Sequence, residues 1–491
     1  MDIEKIRADM EAFNEREDEE YYLNWSGQKD DMDVTSIFNE FEHLFTLETI
    51  RVLKSEAQEA SGEDKRRMRQ LYAASSGGYL QNAVKKLTDK KEQMEATKVV
   101  KMDGEEIPYR FSAVKLINSD DRDYRQAIYD GRNMVLDEMN PVLKGRVEEF
   151  HNLSISLGYP SYMKLMSDIK NLDFHSLMES LSVLTSQTSR LYEEKMEKLL
   201  SPIGISLAEA EKHDIAYLLR AKNFDPYFKK EEAVPILKRT LLDIGIDLDT
   251  QSNIILDTEE RERKSPRAFC APIKIPERIM LVIMPQGGVQ DYQALFHEAG
   301  HAEHHGLTKE ETFMEYKWLG DKSVSETYAF LIEYLSNDRN WLRRHIEMED
   351  HSSYLEFAYL TKLFFLRRYG AKLKYEMLIH SQGLSGMDEV YSKTLEETLV
   401  FRHPPNHYLA DMDDGFYAAQ YLRAWIFEAQ LRAVLQEKYG DEWFLDSRAG
   451  NYLKDLWSSG QKYDVVELAQ MIGYSGLDIN PLVDEITENL G

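Results

Sequence analysis

The residues best suited to chemistry lie in the segment 295–304, which reads LFHEAGHAEH and contains the pattern H-E-x-x-H. One turn of α-helix spans about 3.6 residues, so His297 and His301 project from the same face of a helix. Two imidazoles at this spacing can bind one Zn²⁺, and Glu298 beside them could take a proton from a water molecule that the metal activates. The pattern therefore predicts a catalytic site with one zinc ion per chain, a third protein ligand and an open position.

The third ligand distinguishes the subclasses of such zinc sites. The pattern H-E-x-x-H-x-x-G-x-x-H would place glycine at 304 and histidine at 307, where this sequence has His304 and Leu307, so that class is excluded. A carboxylate on a following helix is the alternative, and the segment 321–333 is typical of such a helix, with Asp321 or Ser323 as its N-cap. His304 is then expected to lie near the ligands or to face the substrate.

Glu326 is the predicted third ligand. It follows His301 by 25 residues, which leaves room for a helix end, a loop and an antiparallel return. Glu333 is a weaker candidate on the same predicted helix, two turns further on. Two other glutamates, Glu311 and Glu315, follow the expected helix end at Gly306 too closely to fold back easily.

The composition favours a mainly helical protein. The chain has 491 residues, of which 43% are hydrophobic, which is enough for two or three domains or for one large two-lobed enzyme. It contains only 25 Gly and 13 Pro, so few residues interrupt helices. The turn at Ser201–Gly204 predicts a boundary between an N-terminal helical lobe, 1–200, and a catalytic lobe, 201–491.

The charge and the cysteine content exclude several classes of function. The formal net charge of −27 argues against nucleic acid or an anionic membrane as a partner, and it suggests that neutral or cationic substrates are not repelled. The single cysteine, Cys270, cannot form a disulfide within the chain. The charged start lacks the apolar region of a signal peptide, and no apolar run approaches about 18 residues, so we expect a cytoplasmic protein.

Short β-rich segments precede the predicted metal helix. Residues 252–257, 267–272 and 278–283 are typical of strands of a small sheet, and the helix itself is expected from about 288 to 306. Gly300 in its interior costs about 1 kcal/mol relative to alanine, which predicts a closely packed neighbour. The strand at 278–283 could present its backbone to an extended peptide as an added strand.

The motifs resemble those of the M3 family of zinc oligopeptidases, the relatives of thimet oligopeptidase, neurolysin and oligopeptidase F. The resemblance is carried by F-H-E-x-G-H-x-x-H at 296–304 and by Ser325-Glu326, and it is strongest from about 265 to 430. It implies a short or divergent member with two helical lobes that flank a deep substrate channel. It also implies a zincin-type site with a glutamate ligand and short peptides as substrates.

A third block, GFYAAQY at 415–421, resembles the family's Tyr-x-Ala-x-Tyr segment. By this likeness Tyr417 and Tyr421 would donate hydrogen bonds to the scissile carbonyl oxygen as it becomes an oxyanion. The family's further tyrosine falls on Ala424, and the position expected for its histidine is Met412. Two histidines further upstream could replace it through a longer loop: His407, which we include among the catalytic candidates, and His403.

The resulting hypothesis is a zinc metalloendopeptidase that acts on short peptides, with an oligomeric state that the sequence does not define. One alternative is a carboxypeptidase or dipeptidyl carboxypeptidase on the same scaffold, for which Arg402 and Arg423 are available to hold a free carboxylate. The other alternative is a non-catalytic helical peptide-binding protein that retains a metal. A structural zinc site, however, usually has four protein ligands.

Overall fold

The computed structural model describes residues 1–102 and 104–491 and confirms a mainly α-helical protein with small β-sheets. The helices are α1 (Ile3–Trp25), α2 (Val34–Glu40), α3 (Leu47–Glu59), α4 (Gly62–Thr97), α5 (Tyr109–Asn118), α6 (Arg122–Ser156), α7 (Tyr162–Ile169), α8 (Phe174–Leu200), α9 (Lys212–Leu218), α10 (Ala233–Asp243), α11 (Val289–Gly306), α12 (Met314–Trp318), α13 (Lys322–Glu333), α14 (Arg339–His345), α15 (His351–Gln382), α16 (Met387–Leu399), α17 (Tyr417–Tyr439), α18 (Ser447–Trp457), α19 (Val465–Met471) and α20 (Asn480–Leu490). The strands are β1 (Val99–Met102), β2 (Glu105–Pro108), β3 (Ile254–Asp257), β4 (Phe269–Lys274) and β5 (Arg278–Val282).

The chain forms two compact units, each assembled from separate segments. Unit 1 contains residues 1–78, 223–355 and 423–485, and unit 2 contains residues 79–222, 356–422 and 486–491. The N-terminal helices α1 to α3 therefore belong to the same unit as α11 and the larger sheet. The division near residue 200 that the sequence suggested stays a prediction about lobes.

Unit 1 holds a three-stranded sheet beside α11. The strand order is β3-β5-β4, with β5 parallel to β3 and antiparallel to β4. Both edges of β5 are paired, so the expectation that the strand at 278–283 presents its backbone to a peptide is wrong. The strand at the edge beside α11 is β4, because the chain reverses between β4 and β5 and places β5 in the centre.

The N-terminus of α11 is set by two glycines with positive φ, Gly287 at 87° and Gly288 at 98°. The side chain of Asp291 in the first turn accepts a hydrogen bond from the Gly287 N–H at 2.7 Å, and a carboxylate at this position also suits the helix dipole. The helix ends at Gly306, whose carbonyl accepts a hydrogen bond from Asn253 Nδ2 at 2.8 Å. The predicted metal helix is thus confirmed to within one residue.

Gly300 is the point where α11 crosses α13. A Cβ at this position would lie 2.6 Å from Ala329 Cα and 2.6 Å from the Tyr328 carbonyl oxygen. Only glycine allows two backbones to approach this closely. The close neighbour predicted from the sequence is therefore α13, and the crossing brings the side chains of that helix next to His297 and His301.

Within the described part of the chain, no helix is both long enough and apolar enough to cross a membrane.

Candidate metal centre

Three side chains of unit 1 converge on one point between α11 and α13. His297 Nε2 lies 3.3 Å from Glu326 Oε2, and His301 Nε2 lies 3.7 Å from the same oxygen. Ligand atoms at about 2.0–2.2 Å from a tetrahedral Zn²⁺ are separated by about 3.4 Å, so this spacing fits one ion. We refer to His297, His301 and Glu326 as the metal centre; among the described residues they form the only group of His, Cys, Asp or Glu side chains of this kind that could hold a metal ion.

The other ring nitrogens of the two histidines have partners that fix the rings. His297 Nδ1 lies 2.8 Å from Glu333 Oε2, and His301 Nδ1 lies 2.7 Å from Ser325 Oγ. A carboxylate or hydroxyl on Nδ1 orients the imidazole and leaves Nε2 for the metal. The structure therefore places Glu333, the weaker candidate for the third ligand, behind His297, whereas the Glu326 carboxylate faces both Nε2 atoms.

The charges at the metal centre favour a cation between the histidines and the carboxylate. Burial acts to lower the pKa of His297, but the carboxylates of Glu326 and Glu333 outweigh it and raise that pKa well above its usual value. Burial lowers the pKa of His301 to about 4, so this imidazole is neutral and has a free electron pair. The position between the two Nε2 atoms and Glu326 therefore suits a divalent ion, which would take the place of the proton that the carboxylates hold on His297.

Glu298 is half-buried next to the metal centre and is held by the sheet. Its Oε2 accepts a hydrogen bond from the backbone N–H of Cys270 on the edge strand β4 at 2.8 Å. Burial raises the pKa of Glu298 to about 7, while His297 and the Cys270 amide act in the opposite direction. A carboxyl group with a pKa near 7 can both accept and donate a proton at neutral pH.

His304 does not take part in the metal centre. Its ring is completely buried, packed against Tyr328 at 4.9 Å and against His305 at 5.0 Å between ring centroids. The expectation that His304 could face the substrate is therefore wrong, because its side chain points into the core of unit 1. Glu315, another carboxylate considered from the sequence, is bonded to Arg7 at 2.6 Å.

The predicted tyrosines lie in unit 2, at the start of α17. The rings of Tyr417 and Tyr421 contact each other edge to face, with centroids 4.9 Å apart, and Tyr421 also contacts Tyr369 at 5.4 Å. We refer to residues 415–421 as the tyrosine block. Its role toward a substrate stays a prediction.

His407 also lies in unit 2, with both ring nitrogens occupied. Nε2 is 2.8 Å from Asn133 Oδ1 and Nδ1 is 3.0 Å from Lys212 Nζ. Burial, followed by the charge of Lys212, lowers the pKa of His407 well below its usual value. His403 is buried as well, and its Nδ1 lies 3.0 Å from the Phe401 carbonyl oxygen. An oxyanion role for His407 stays a prediction and would require an exchange of these bonds.

Two residues at the site were not singled out for it from the sequence. Ser325 had been noted only as part of the motif, although a hydroxyl directly before a ligand is a signal for a partner of the imidazole. Cys270 contributes its backbone N–H rather than its thiol, and no pattern of side chains reveals a backbone donor. Contacts of this kind become visible only when the edge strand and the metal helix are placed together.

Of the comparisons with known proteins, only the one with solved structures finds similar proteins, and its matches agree on the architecture. No protein-family model matches the sequence, and no curated protein matches it. Among solved structures, a protein described as an oligoendopeptidase F from Bacillus anthracis str. Ames is 16% identical with a TM-score of 0.71, covering 98% of this chain and 89% of its own. PZ peptidase A with an inhibitor is 15% identical with a TM-score of 0.71, covering 100% of this chain and 97% of its own.

An M32 carboxypeptidase from Deinococcus radiodurans R1 is 12% identical with a TM-score of 0.63, covering 99% of this chain and 98% of its own. Identities this low establish a common fold, and the high coverage shows that the likeness extends over nearly the whole chain. This chain therefore shares its fold with the structures described as oligoendopeptidase F, PZ peptidase A and an M32 carboxypeptidase.

Proposed function

We propose that the chain is a zinc-dependent metallopeptidase that hydrolyses peptide bonds in short peptides. The observation that carries the proposal is the convergence of His297 Nε2, His301 Nε2 and Glu326 Oε2, next to a carboxylate held by the edge strand. Three protein ligands leave a fourth position for water, as catalytic zinc sites do and structural zinc sites do not. This feature favours an enzyme over a peptide-binding protein that only retains a metal.

His297, His301 and Glu326 would hold the zinc ion, which would supply a Lewis acid able to lower the pKa of water toward about 7 and to polarise a carbonyl group. Glu298 takes the proton from the attacking water and delivers it to the leaving amine. The hydrogen bond from the Cys270 N–H fixes the Glu298 carboxylate for both transfers. Glu333 and Ser325 keep the two imidazoles in the orientation and tautomer that direct Nε2 toward the ion.

The hydroxyl groups of Tyr417 and Tyr421 are proposed to stabilise the oxyanion of the tetrahedral intermediate, and His407 is proposed as their assistant. These roles are supported by the motif resemblance. The same resemblance supports a substrate channel between helical lobes and a preference for short peptides. The proposed cytoplasmic location is supported by the single cysteine, which fits a reducing compartment.

Endopeptidase action is the primary proposal, and carboxypeptidase action is the second candidate because solved structures of both kinds share the fold. Arg423, one of the two arginines available for a free carboxylate, is bonded to Asp321 Oδ2 at 2.8 Å and is buried. It therefore stabilises the N-terminus of α13, which weakens the carboxypeptidase alternative. Peptides with blocked and free C-termini distinguish the two, and cleavage of free C-termini alone would reject endopeptidase action.

The decisive experiment combines metal analysis with an internally quenched peptide assay. We expect the purified chain to bind one equivalent of zinc, to lose activity on treatment with a chelator and to regain it with zinc. The variant Glu298→Gln should retain zinc and lose about 10²–10⁴-fold in kcat. Zinc binding without cleavage of any peptide in a broad library would overturn the enzyme proposal in favour of a peptide-binding protein.

A further inference from the structure

Unit 2 contains a cavity of about 350 Å³, lined by residues of α4, α6, α7, α15 and the loop that precedes α17. Small-molecule sites in proteins commonly have volumes of about 300–1,000 Å³, so this cavity is large enough for a small ligand. All of the lining residues belong to unit 2, whereas the metal centre belongs to unit 1. The cavity is therefore a candidate site that the proposed peptidase mechanism does not use.

Two polar side chains in the cavity wall, Tyr162 and His380, are almost completely buried, with 2% and 4% of their surface exposed. His380 Nδ1 lies 2.9 Å from His151 Nε2, and Tyr162 Oη accepts a hydrogen bond from the Gly415 N–H at 3.1 Å. In the part of the chain that the structure describes, His380 Nε2 has no hydrogen-bonding partner and the Tyr162 O–H has no acceptor. Buried polar groups are stabilised by a ligand that supplies the missing partner.

The charges of the cavity wall are balanced by partners among the described residues. They form three ion pairs: Arg146 with Asp414, Lys91 with Glu92, and Lys372 with Asp413. Burial, followed by the effect of His151, lowers the pKa of His380 to about 3, and burial raises the pKa of Tyr162, so both groups are neutral at neutral pH. Because an ion would leave water without gaining an unpaired opposite charge, the cavity favours a neutral ligand.

The groups in the wall also define the polar and apolar parts of such a ligand. The Tyr162 O–H requires an acceptor, whereas His380 Nε2 donates or accepts according to which ring nitrogen carries the proton. A hydroxyl group satisfies both, because it donates one hydrogen bond and accepts others. The apolar part of the wall contains Leu143, Val147 and Phe150, and the ring of Phe150 stacks on Tyr162 with centroids 5.3 Å apart. A flat aromatic ring packs well against such a surface.

We propose that this cavity binds a neutral aromatic alcohol, supplied either by a tyrosine side chain of a peptide or by a free phenol. The site itself does not depend on the metal centre, whereas a peptide as the source rests on the proposed function. The cavity adjoins the tyrosine block, because Gly415 donates to Tyr162 and the ring of Phe416 contacts that of His380, with centroids 5.2 Å apart. The bound alcohol is therefore held beside the segment that leads into α17.

The test measures the binding of p-cresol to the zinc-loaded full chain by calorimetry, with toluene as the matched probe that lacks the hydroxyl group. Tyr162→Phe and His380→Leu should each weaken p-cresol binding by about tenfold and leave the affinity for toluene unchanged. Retained toluene binding shows that the cavity of the variant is intact. The control Tyr408→Phe removes a hydroxyl group outside the cavity wall and should leave both affinities at their wild-type values.

Competition on the zinc-loaded Glu298→Gln protein distinguishes the two sources of the alcohol. Displacement of p-cresol by a blocked pentapeptide with a central tyrosine, but not by its phenylalanine counterpart, assigns a peptide as the source. Binding of p-cresol that neither peptide displaces assigns a free phenol. The same binding in a chain without peptidase activity would reject the proposed function and leave the cavity site standing.

Three results would overturn the inference. The first is the absence of saturable p-cresol binding. The second is an equal effect of Tyr162→Phe on p-cresol and on toluene, which would show that the hydroxyl groups do not meet. The third is tighter binding of a benzylamine or a benzoate than of p-cresol, which would show that the cavity selects an ion.

Discussion

The metal centre in unit 1 was predicted from the H-E-x-x-H spacing and a following glutamate, and the tyrosine block with His407 in unit 2 was predicted from the motif resemblance. The polar atoms of the two regions are arranged differently. At the metal centre each histidine has one nitrogen bonded to a partner, Glu333 or Ser325, and the other directed at Glu326. His407 has both nitrogens bonded, to Asn133 and Lys212.

This difference shows what prepares a side chain for chemistry. In each histidine of the metal centre, one ring nitrogen is fixed by a neighbouring side chain, and the other ring nitrogen is directed at the point where the three side chains converge. A histidine with both nitrogens occupied is instead suited to stabilise the fold around it. The four predictions below test the contrast, beginning with the largest expected effect.

The first prediction separates ligand from partner on α13. Glu333→Gln should reduce the zinc affinity by about 10–100-fold, as expected for a partner of a ligating imidazole. Glu326→Gln should reduce it by far more, because of the two carboxylates Glu326 alone contacts both Nε2 atoms. Competition with a chromogenic chelator measures both affinities. Equal losses, or a larger loss for Glu333→Gln, would show that the ligand assignment within this pair is reversed.

The second prediction concerns unit 2. Tyr417→Phe should lower kcat by about 10²–10³-fold with little change in KM, as expected on removal of an oxyanion donor. His407→Gln should lower kcat less than about tenfold, because its nitrogens are already bonded within the unit. Steady-state kinetics on one quenched peptide compares the two. A loss for His407→Gln as large as that for Tyr417→Phe would establish His407 in the oxyanion site.

The third prediction concerns buried carboxyl groups. Glu326 meets two histidines. The fully buried Glu376 in unit 2, in contrast, accepts a hydrogen bond from the Asp413 N–H at 2.7 Å and from no other described residue, and burial raises its pKa to about 8. The unfolded value is about 4.3, so the folded state holds a proton that the unfolded chain releases. This contribution to stability is complete below about pH 4.3 and is lost as the pH rises through about 8.

Between pH 5 and pH 8 the wild type should therefore lose on the order of 2–4 kcal/mol of unfolding free energy relative to Glu376→Gln. Urea denaturation at both pH values measures this difference, and the exposed Glu397→Gln serves as the control. Parallel pH dependence in the wild type and in Glu376→Gln would show that Glu376 is ionised in the folded protein.

The fourth prediction compares two helix-interior glycines. Gly300→Ala places a Cβ 2.6 Å from the backbone of α13 and should cost about 1–3 kcal/mol of stability and also weaken zinc binding. Gly370→Ala in α15 meets nothing within 4 Å and should stabilise the protein by about 0.5–1 kcal/mol. Urea denaturation of both variants shows whether each substitution raises or lowers the free energy of unfolding. A stabilising effect of Gly300→Ala would mean that the helix crossing relaxes around the new methyl group, and a destabilising effect of Gly370→Ala would contradict the open space at that position.

Much of the metal centre could be predicted because its signals are local. The helical period places His297 and His301 on one face, and the glycines and Asp321 mark the helix ends that the structure confirms. The edge position of β4 could not be predicted in this way. Strand order depends on which chains meet in space, and all three strands have similar apolar patterns.

The sequence by itself determined the pair of histidines on one helix face, the extent of that helix and the helix that carries Glu326, and it predicted Glu298 as the base. Only the tertiary structure decided that Glu326 rather than Glu333 faces both Nε2 atoms and that His304 is buried. The physical reason is the distance along the chain over which each kind of interaction acts. Helix faces and caps follow from residues within about one turn, whereas the rotation of one helix against another is fixed by packing. Here the glycine at the crossing with α13 sets that packing.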